Sequence, residues 1–309
     1  MTLVQPPMLV HGARHSARAA RLLVRDLAHG RQGVAEAEDL KVLPLQAPGP
    51  AVRVADGSAL IHGARPWQGA YTQTNIGDTV IDVSPTGPTA RTDLLVLRVE
   101  DPEYEGQRDP RTQEIGYFQL LEDVAATADA IPDGMTGIPL ARITLPRDTA
   151  TVTADMITDL RQVADPRTDR ILRIAHPKDT EAAPAEHGSW AAWPKEAAVD
   201  LDIPTWATRA TIVVNISGLR AEAGSVYTQL RARLGERTTK PTIVDDDGTT
   251  TRRTSVTVAG TLTLPAAYRG TRQHLALQIN QDEKYGDGDL TVAGGTTVIV
   301  EAEFTESAV

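Results

Sequence analysis

Aliphatic alternation, with almost no aromatic side chains to fill a thick core, most constrains this chain. The run "VIVEAEF" (298–304) alternates apolar and polar residues with period two, and "HLALQI" (274–279) does the same. That period marks half-buried strands. The whole chain holds two phenylalanines, Phe118 and Phe304, and 4% aromatic residues. Its cores must therefore come from Val, Leu, Ile, Ala and Thr methyls. Such residues suit thin, pleated layers. Twenty Pro and 24 Gly supply the turns that many short strands need.

The 309 residues predict two domains. In the first, residues 17–28 carry Ala20, Leu23, Val24 and Leu27 at helical spacing, with Ser16 as N-cap and Gly30 as stop. Strand-like stretches follow at "LKVLPL", "AVRVADGSALIHG" and "AYTQTNIGDTVIDVS", and Asp56-Gly57 predicts a tight hairpin turn between "VRV" and "ALI". "DLLVLRV" (93–99) is apolar on both faces and predicts a central strand. Strands are also expected at "GYFQLLEDV" and "IPLARITLP". A second helix is expected over 153–164, where Met156, Ile157, Leu160 and Val163 share helical spacing.

This first domain spans 1–165. The charged, Pro- and Ala-rich stretch 166–186 reads as a linker, and 187–309 as strand after strand. Turn signals there recur roughly every 8 to 15 residues, the spacing of an antiparallel sandwich. The expected fold class is mainly β with some α. It comprises an α+β N-terminal domain followed by a C-terminal antiparallel, jelly-roll-like β-sandwich.

The formal charge of −10 argues against a nucleic-acid partner. No run approaches the roughly 20 apolar residues of a membrane helix, so no membrane insertion is expected. The N-terminus has no positive region followed by a long apolar stretch, so no secretory leader is expected. Without cysteine, disulfides and Cys-ligated zinc are excluded.

The acids Glu100, Asp101, Glu103, Glu105 and Asp109 follow the central strand and are broken by Pro102 and Pro110. They read as a solvated loop, with a divalent-ion site or a carboxylate pair as the alternative. "VDDDGTT" (244–250) and "DEKYGDGDL" (282–290) lack the alternating acids and closing Glu of a calcium loop, and read as turns. His11 and His15 are four apart but lack the zincin Glu. No nucleophile elbow, P-loop or dinucleotide fingerprint occurs. No catalytic residue, metal or cofactor is therefore expected, and the chain reads as a non-enzyme.

Trp190, Trp193, Trp206 and Tyr268 cluster in the second half, as core packing or as a carbohydrate platform. Trp190, Trp193 and Tyr268, with Tyr285, Asp287 and Asp289 of a hairpin tip, are the candidate glycan or receptor contacts. Arg14, Arg18, Arg21 and Arg25 are expected on the outer face of the first helix, as a candidate assembly interface.

"VRVADGSALIHG", Tyr71, "RTDLLVLRVEDPEY" and "IPLARITLPRDTATVTADMITDLRQVA" resemble the N-terminal half of minor tail proteins of siphophages infecting actinobacteria. The matching elements lie at 57–63, 91–102, 138–145 and 153–161. "IPTWATRATIVVNISGL" and "VAGTLTLPAAYRGTRQHLALQI" resemble the variable tip domains of such proteins. The resemblance implies a tail-tip or baseplate structural protein, assembled in the host cytoplasm into the virion. It would form a symmetric homo-oligomer, a trimer as first expectation, beside other tail proteins, with its second domain free to contact a host glycan. The alternatives are a carbohydrate-binding adhesin and, behind it, a polysaccharide-degrading tail enzyme using Glu100 or Asp101. No long coiled coil or collagen-like repeat of a fibre is present.

Overall fold

The computed structural model describes residues 11, 16–184, 188–281 and 288–308. The protein is mainly β, with several antiparallel sheets and one helix among the described residues. It forms two compact units, one of residues up to Pro166 with the C-terminal 307–309, the other Arg167–Glu306.

In the first unit the helix spans Ala17–Leu27, and the Ser16 side chain accepts a hydrogen bond from the Ala19 N–H. The four-stranded sheet runs Ile157–Asp159, Gly137–Leu145, Arg91–Val99, Gly116–Leu121. Arg91–Val99 is central, as its two-sided apolar pattern predicts, with Leu94 to Leu97 all buried. Two three-stranded sheets complete the unit. One orders Gly33–Val34, Gly57–His62, Ala70–Asn75, and the other Val42–Pro44, Ala51–Val54, Thr79–Asp82.

Two local expectations fail here for tertiary reasons. Asp56-Gly57 is no hairpin turn, because Ala51–Val54 and Gly57–His62 belong to different sheets. Gly57 (φ +141°) instead lets the chain cross against residue 39, where a Cβ would lie 2.6 Å from the Asp39 Cα. The helix expected over 153–164 is a single 3-10 turn, Ala154–Met156, followed by the strand Ile157–Asp159. That strand pairs Ile157 with Ile143. Arg161, buried, then donates to the Ala37 and Asp39 carbonyls. These long-range bonds override the helical spacing.

The second unit is a sandwich of two antiparallel sheets around one core. In one sheet Arg209–Ala221 pairs Thr297–Thr305 on one side and Arg252–Thr263 on the other. In the other, Arg272–Gln281 pairs Val226–Leu234. Strict alternation puts Ile212, Val214, Leu230, Leu234 and Phe304 inside. A bulge breaks the register at Gly218 (φ +71°), whose missing Cβ leaves room for the Gly295 carbonyl.

The stretch 166–186, expected as a linker, is from Arg167 through its described residues part of this sandwich, and 185–186 lie outside the described residues. Thr168–Ala175 pairs along all its length with Thr297–Thr305, and Glu181–Ala182 pairs with Leu290–Val292. Ile171 and Ala175 pack on the core, and Arg170 bonds Glu301 of the neighbouring strand at 2.7 Å. The charges that suggest a linker are therefore the exposed decoration of an edge strand.

Candidate functional site: an arginine fastening the loop that displays a tryptophan

The acidic loop after Val99 and the arginines of the helix meet within the first unit. Asp101, buried, accepts a hydrogen bond from the Tyr71 hydroxyl at 2.7 Å and lies 3.3 Å from the Arg21 guanidinium. Its carboxylate and carbonyl also accept the N–H groups of Glu103, Tyr104 and Glu105, which folds the loop back on itself. Glu103 pairs with Arg21 at 2.7 Å and with Arg18. Arg21 further donates from Nε to the Gln68 carbonyl and lies over the rings of Tyr71 and Tyr104, each 5.4 Å away.

The other three acids are also engaged. The Tyr117 hydroxyl donates to Glu100 at 2.8 Å, and Arg108 lies close by. Glu105 accepts the Thr136 N–H, and Asp109 accepts the Arg111 N–H in a turn. The stretch is a loop, as expected, with Glu103 and Asp109 exposed, but Asp101 is buried and Glu100 and Glu105 half-buried, so these carboxylates also fasten the loop to its surroundings. The Tyr117 hydrogen bond, against some burial, holds the Glu100 carboxyl below its usual range. Burial pushes the Glu103 carboxyl up, but hydrogen bonds and charge from Arg21 and Arg18 outweigh it and leave it lowered. Burial, then the bond to Asp101, pushes the Tyr71 hydroxyl well up, so it stays a donor. A carboxyl held as an anion is a poor general acid.

Arg18 and Arg21 are consequently not free on an outer face but spent within their own unit. Arg25 pairs with Asp26 at 2.6 Å and lies over the Trp67 ring at 5.6 Å. Arg14 lies outside the described residues.

Above this cluster, residues 63–69 ("GARPWQG") join two strands of a sheet. The Gly63 N–H donates to the Gly69 carbonyl and closes the loop. Gln68 is buried inside it: its Oε1 accepts the Arg65 N–H, and its Nε2 donates to the Tyr71 and Thr136 hydroxyls. A Cβ on Gly63 would lie 2.5 Å from the Gln68 side chain, and one on Gly69 (φ +88°) would lie 2.5 Å from the Arg21 backbone. With Gln68 drawn inward, Trp67 adopts φ +62° and stands 69% exposed. Beside it is a cleft of about 660 Å³ lined by Arg25, His62, Arg65, Trp67, Ile131 and Met135 among others. Trp67 and Gln68 carry no motif and are missing from the sequence-based candidates. Their signal is a Pro-Trp pair bracketed by Gly63 and Gly69.

The aromatic candidates of the second unit do not form an open platform. Trp193 is 1% exposed and belongs to the core, which removes it as a glycan contact. Tyr268 packs against that core while its hydroxyl accepts the Glu236 N–H. Trp190 is half-buried under the Arg231 guanidinium, 4.0 Å from its ring, and Arg167 lies over Trp206. Asp289 is exposed, with its carbonyl bonded to the Glu222 N–H. Tyr285 and Asp287 lie outside the described residues. In the 244–250 turn, Asp246 accepts from Gly248 N–H and pairs with Arg252. Among the described residues no group of three or more His, Asp or Glu is placed to hold a metal ion.

No family model matches the chain, and no curated protein matches it. Solved structures align with it at low score. A structure of infectious bursal disease virus, Gx strain, is 12% identical, with 90% of this chain and 74% of that chain covered and a TM-score of 0.26. The VP2 subviral particle of the same virus is 12% identical, with 95% and 87% covered and a TM-score of 0.23. The insecticidal delta-endotoxin Cry8Ea1 of Bacillus thuringiensis is 10% identical, with 90% and 52% covered and a TM-score of 0.20. Scores of this size carry no functional argument.

Proposed function

We propose that this chain is a structural component of a phage tail tip or baseplate, built into the virion as a symmetric homo-oligomer beside other tail proteins. The sequence resemblance supports the class. The observation that carries the assembly role is the edge strand Thr168–Ala175. It pairs with one neighbour only, and it exposes Leu172 (53%) and Ile174 (55%) two residues apart on one face. An edge with an apolar face invites pairing by another chain unless something covers it. A repeated interface of this kind is what a closed ring of identical subunits uses. The acidic loops act as fasteners in this reading, so neither Glu100 nor Asp101 performs catalysis.

Light scattering of the purified chain tests it. A discrete oligomer, a trimer first, is expected for the parent, and a monomer for Leu172→Lys with Ile174→Lys. A parent that stays monomeric at every concentration, and an antibody to it that decorates no tail, would sink the proposal.

A further inference from the structure

We propose that the cleft beside Trp67 binds an anionic saccharide. This stands apart from the assembly reading, because it concerns a loop of the first unit and none of the edge-strand residues.

The backbone of Trp67 is the first reason. A bulky residue at φ +62° is an outlier, and such a conformation persists only where its surroundings dictate it. Here they do. Gln68 is buried with both side-chain ends bonded, and Gly63 and Gly69 leave no room for a Cβ. The loop is thus built so that its amide goes in and its indole stays out. A chain with so few aromatic residues keeps Trp193 in a core, yet holds Trp67 69% exposed.

Charge is the second reason. The ionisable groups lining the cleft are Arg25, His62 and Arg65, with no carboxylate among the lining residues, in a chain of net charge −10. Arg25 is partly neutralised by Asp26, and no ion pair of Arg65 occurs among the described residues. With Arg25 over the Trp67 ring at 5.6 Å and Arg65 lining the same cleft, guanidinium groups flank a largely exposed indole, which matches a ligand with a flat C–H face and an acid group. The ring face packs on the indole, and the acid takes charge-assisted hydrogen bonds from arginine.

Shape chooses the saccharide over a peptide. Apolar peptide anchors hold through enclosed, desolvated pockets, and an open indole offers none. The loop backbone is closed on itself by the Gly63 to Gly69 hydrogen bond, and the free edge of the sheet, Ala70–Asn75, contributes no residue to the lining of the cleft for an extended chain to join.

Titration calorimetry on the full chain tests this with four probes: an oligogalacturonate (carboxylate), a phosphomannan oligosaccharide (phosphate), a neutral malto-oligosaccharide and a poly-glutamate peptide. At least one of the first two should bind and weaken as salt rises, and which one binds names the source of the acid. Trp67→Ala should weaken that binding at least tenfold while the circular dichroism is unchanged, and Arg65→Glu should abolish it. Trp67→Phe, which keeps a ring, should retain part of it. The proposal is overturned if neither anionic glycan binds, if the neutral sugar binds equally well, or if Trp67→Ala binds like the parent. Equal binding of poly-glutamate, lost in Trp67→Ala, would make the cleft an acidic-peptide site and overturn it as well.

Discussion

The Arg21 guanidinium lies 3.3 Å from the Asp101 carboxylate, and the same side chain bonds the Gln68 carbonyl and Glu103. One residue of the helix thereby fastens two segments, the 63–69 loop and the acidic loop after Val99. Both partners of the ion pair are largely out of solvent, so removing one strands the other. Arg21→Ala should therefore cost about 3 kcal/mol, read by chemical denaturation and by faster hydrogen exchange of the Ala17–Leu27 amides. Arg21→Met combined with Asp101→Asn should recover part of that loss, since no unpaired charge remains. A single variant within about 0.5 kcal/mol of the parent would demote the pair to surface decoration.

The same cluster fixes the sign of a pH dependence. Glu103 and Glu100 both have carboxyls lowered in the folded state. A lowered carboxyl contributes stability that is full above its unfolded value, near 4.3 for a free Glu. That contribution disappears as pH falls through the lower folded value. Denaturation midpoints measured from neutral pH down to about pH 3 should fall, and Glu103→Gln should flatten the lower part of the curve. Arg18→Ala should flatten it too, because it removes one of the two charges that lower Glu103. A curve for Glu103→Gln that parallels the parent would show that the pairing has no thermodynamic weight.

Gly30 and Gly69 separate backbone strain from crowding. Both have positive φ, +72° and +88°, but a Cβ on Gly30 meets nothing within 4 Å, whereas one on Gly69 would lie 2.5 Å from the Arg21 backbone. Gly30→Ala should cost about 1 kcal/mol, the penalty of a left-handed alanine. Gly69→Ala should cost clearly more, because helix and loop must part. It should also shift the fluorescence of Trp67. Equal losses in the two variants would mean that the loop does not press on the helix.

In the sandwich, Phe304 is fully buried and Tyr268 lies at the margin of the same core. Phe304→Ala should cost about 3–5 kcal/mol, and Tyr268→Ala less, both read by chemical denaturation. The alternation of 298–304 suffices to see this, because the period-two pattern already places Phe304 inside.

That contrast marks what was legible. Strands with one face buried, such as Val226–Leu234, can be read from the residues alone, since each side chain reports its face. Arg91–Val99 is equally plain, being apolar on both faces. The strand Ile157–Asp159 was not, because Met156, Ile157, Leu160 and Val163 fit a helix locally and only the distant carbonyls bonded by Arg161 decide otherwise. The candidate site was hidden for a related reason. The acids after Val99 and the arginines of the helix are each visible as charge. That they meet is a long-range fact, with Glu103 pairing to Arg21 82 positions away. Trp67 becomes conspicuous only through its backbone and its exposure, neither of which has a sequence pattern.

The stretch 166–186 yields the sharpest test, because composition and structure disagree about it. A flexible, charged linker would present Arg170, Arg173 and Lys178 to trypsin, and brief digestion would separate the two halves of the chain. In the structure Arg170 and Arg173 lie in a strand paired residue by residue with Thr297–Thr305, and Arg167 is clamped to the buried Glu306 carboxylate at 2.7 Å. Backbone held in a ladder cannot enter a protease cleft without local unfolding. Limited trypsin should therefore spare Arg170 and Arg173, with any early cut near Lys178, which lies outside the strands. Ile171→Asp, which sets a carboxylate against the core, should loosen the strand and open both arginine sites. Rapid cutting of the parent at Arg170 would show that this edge does not hold.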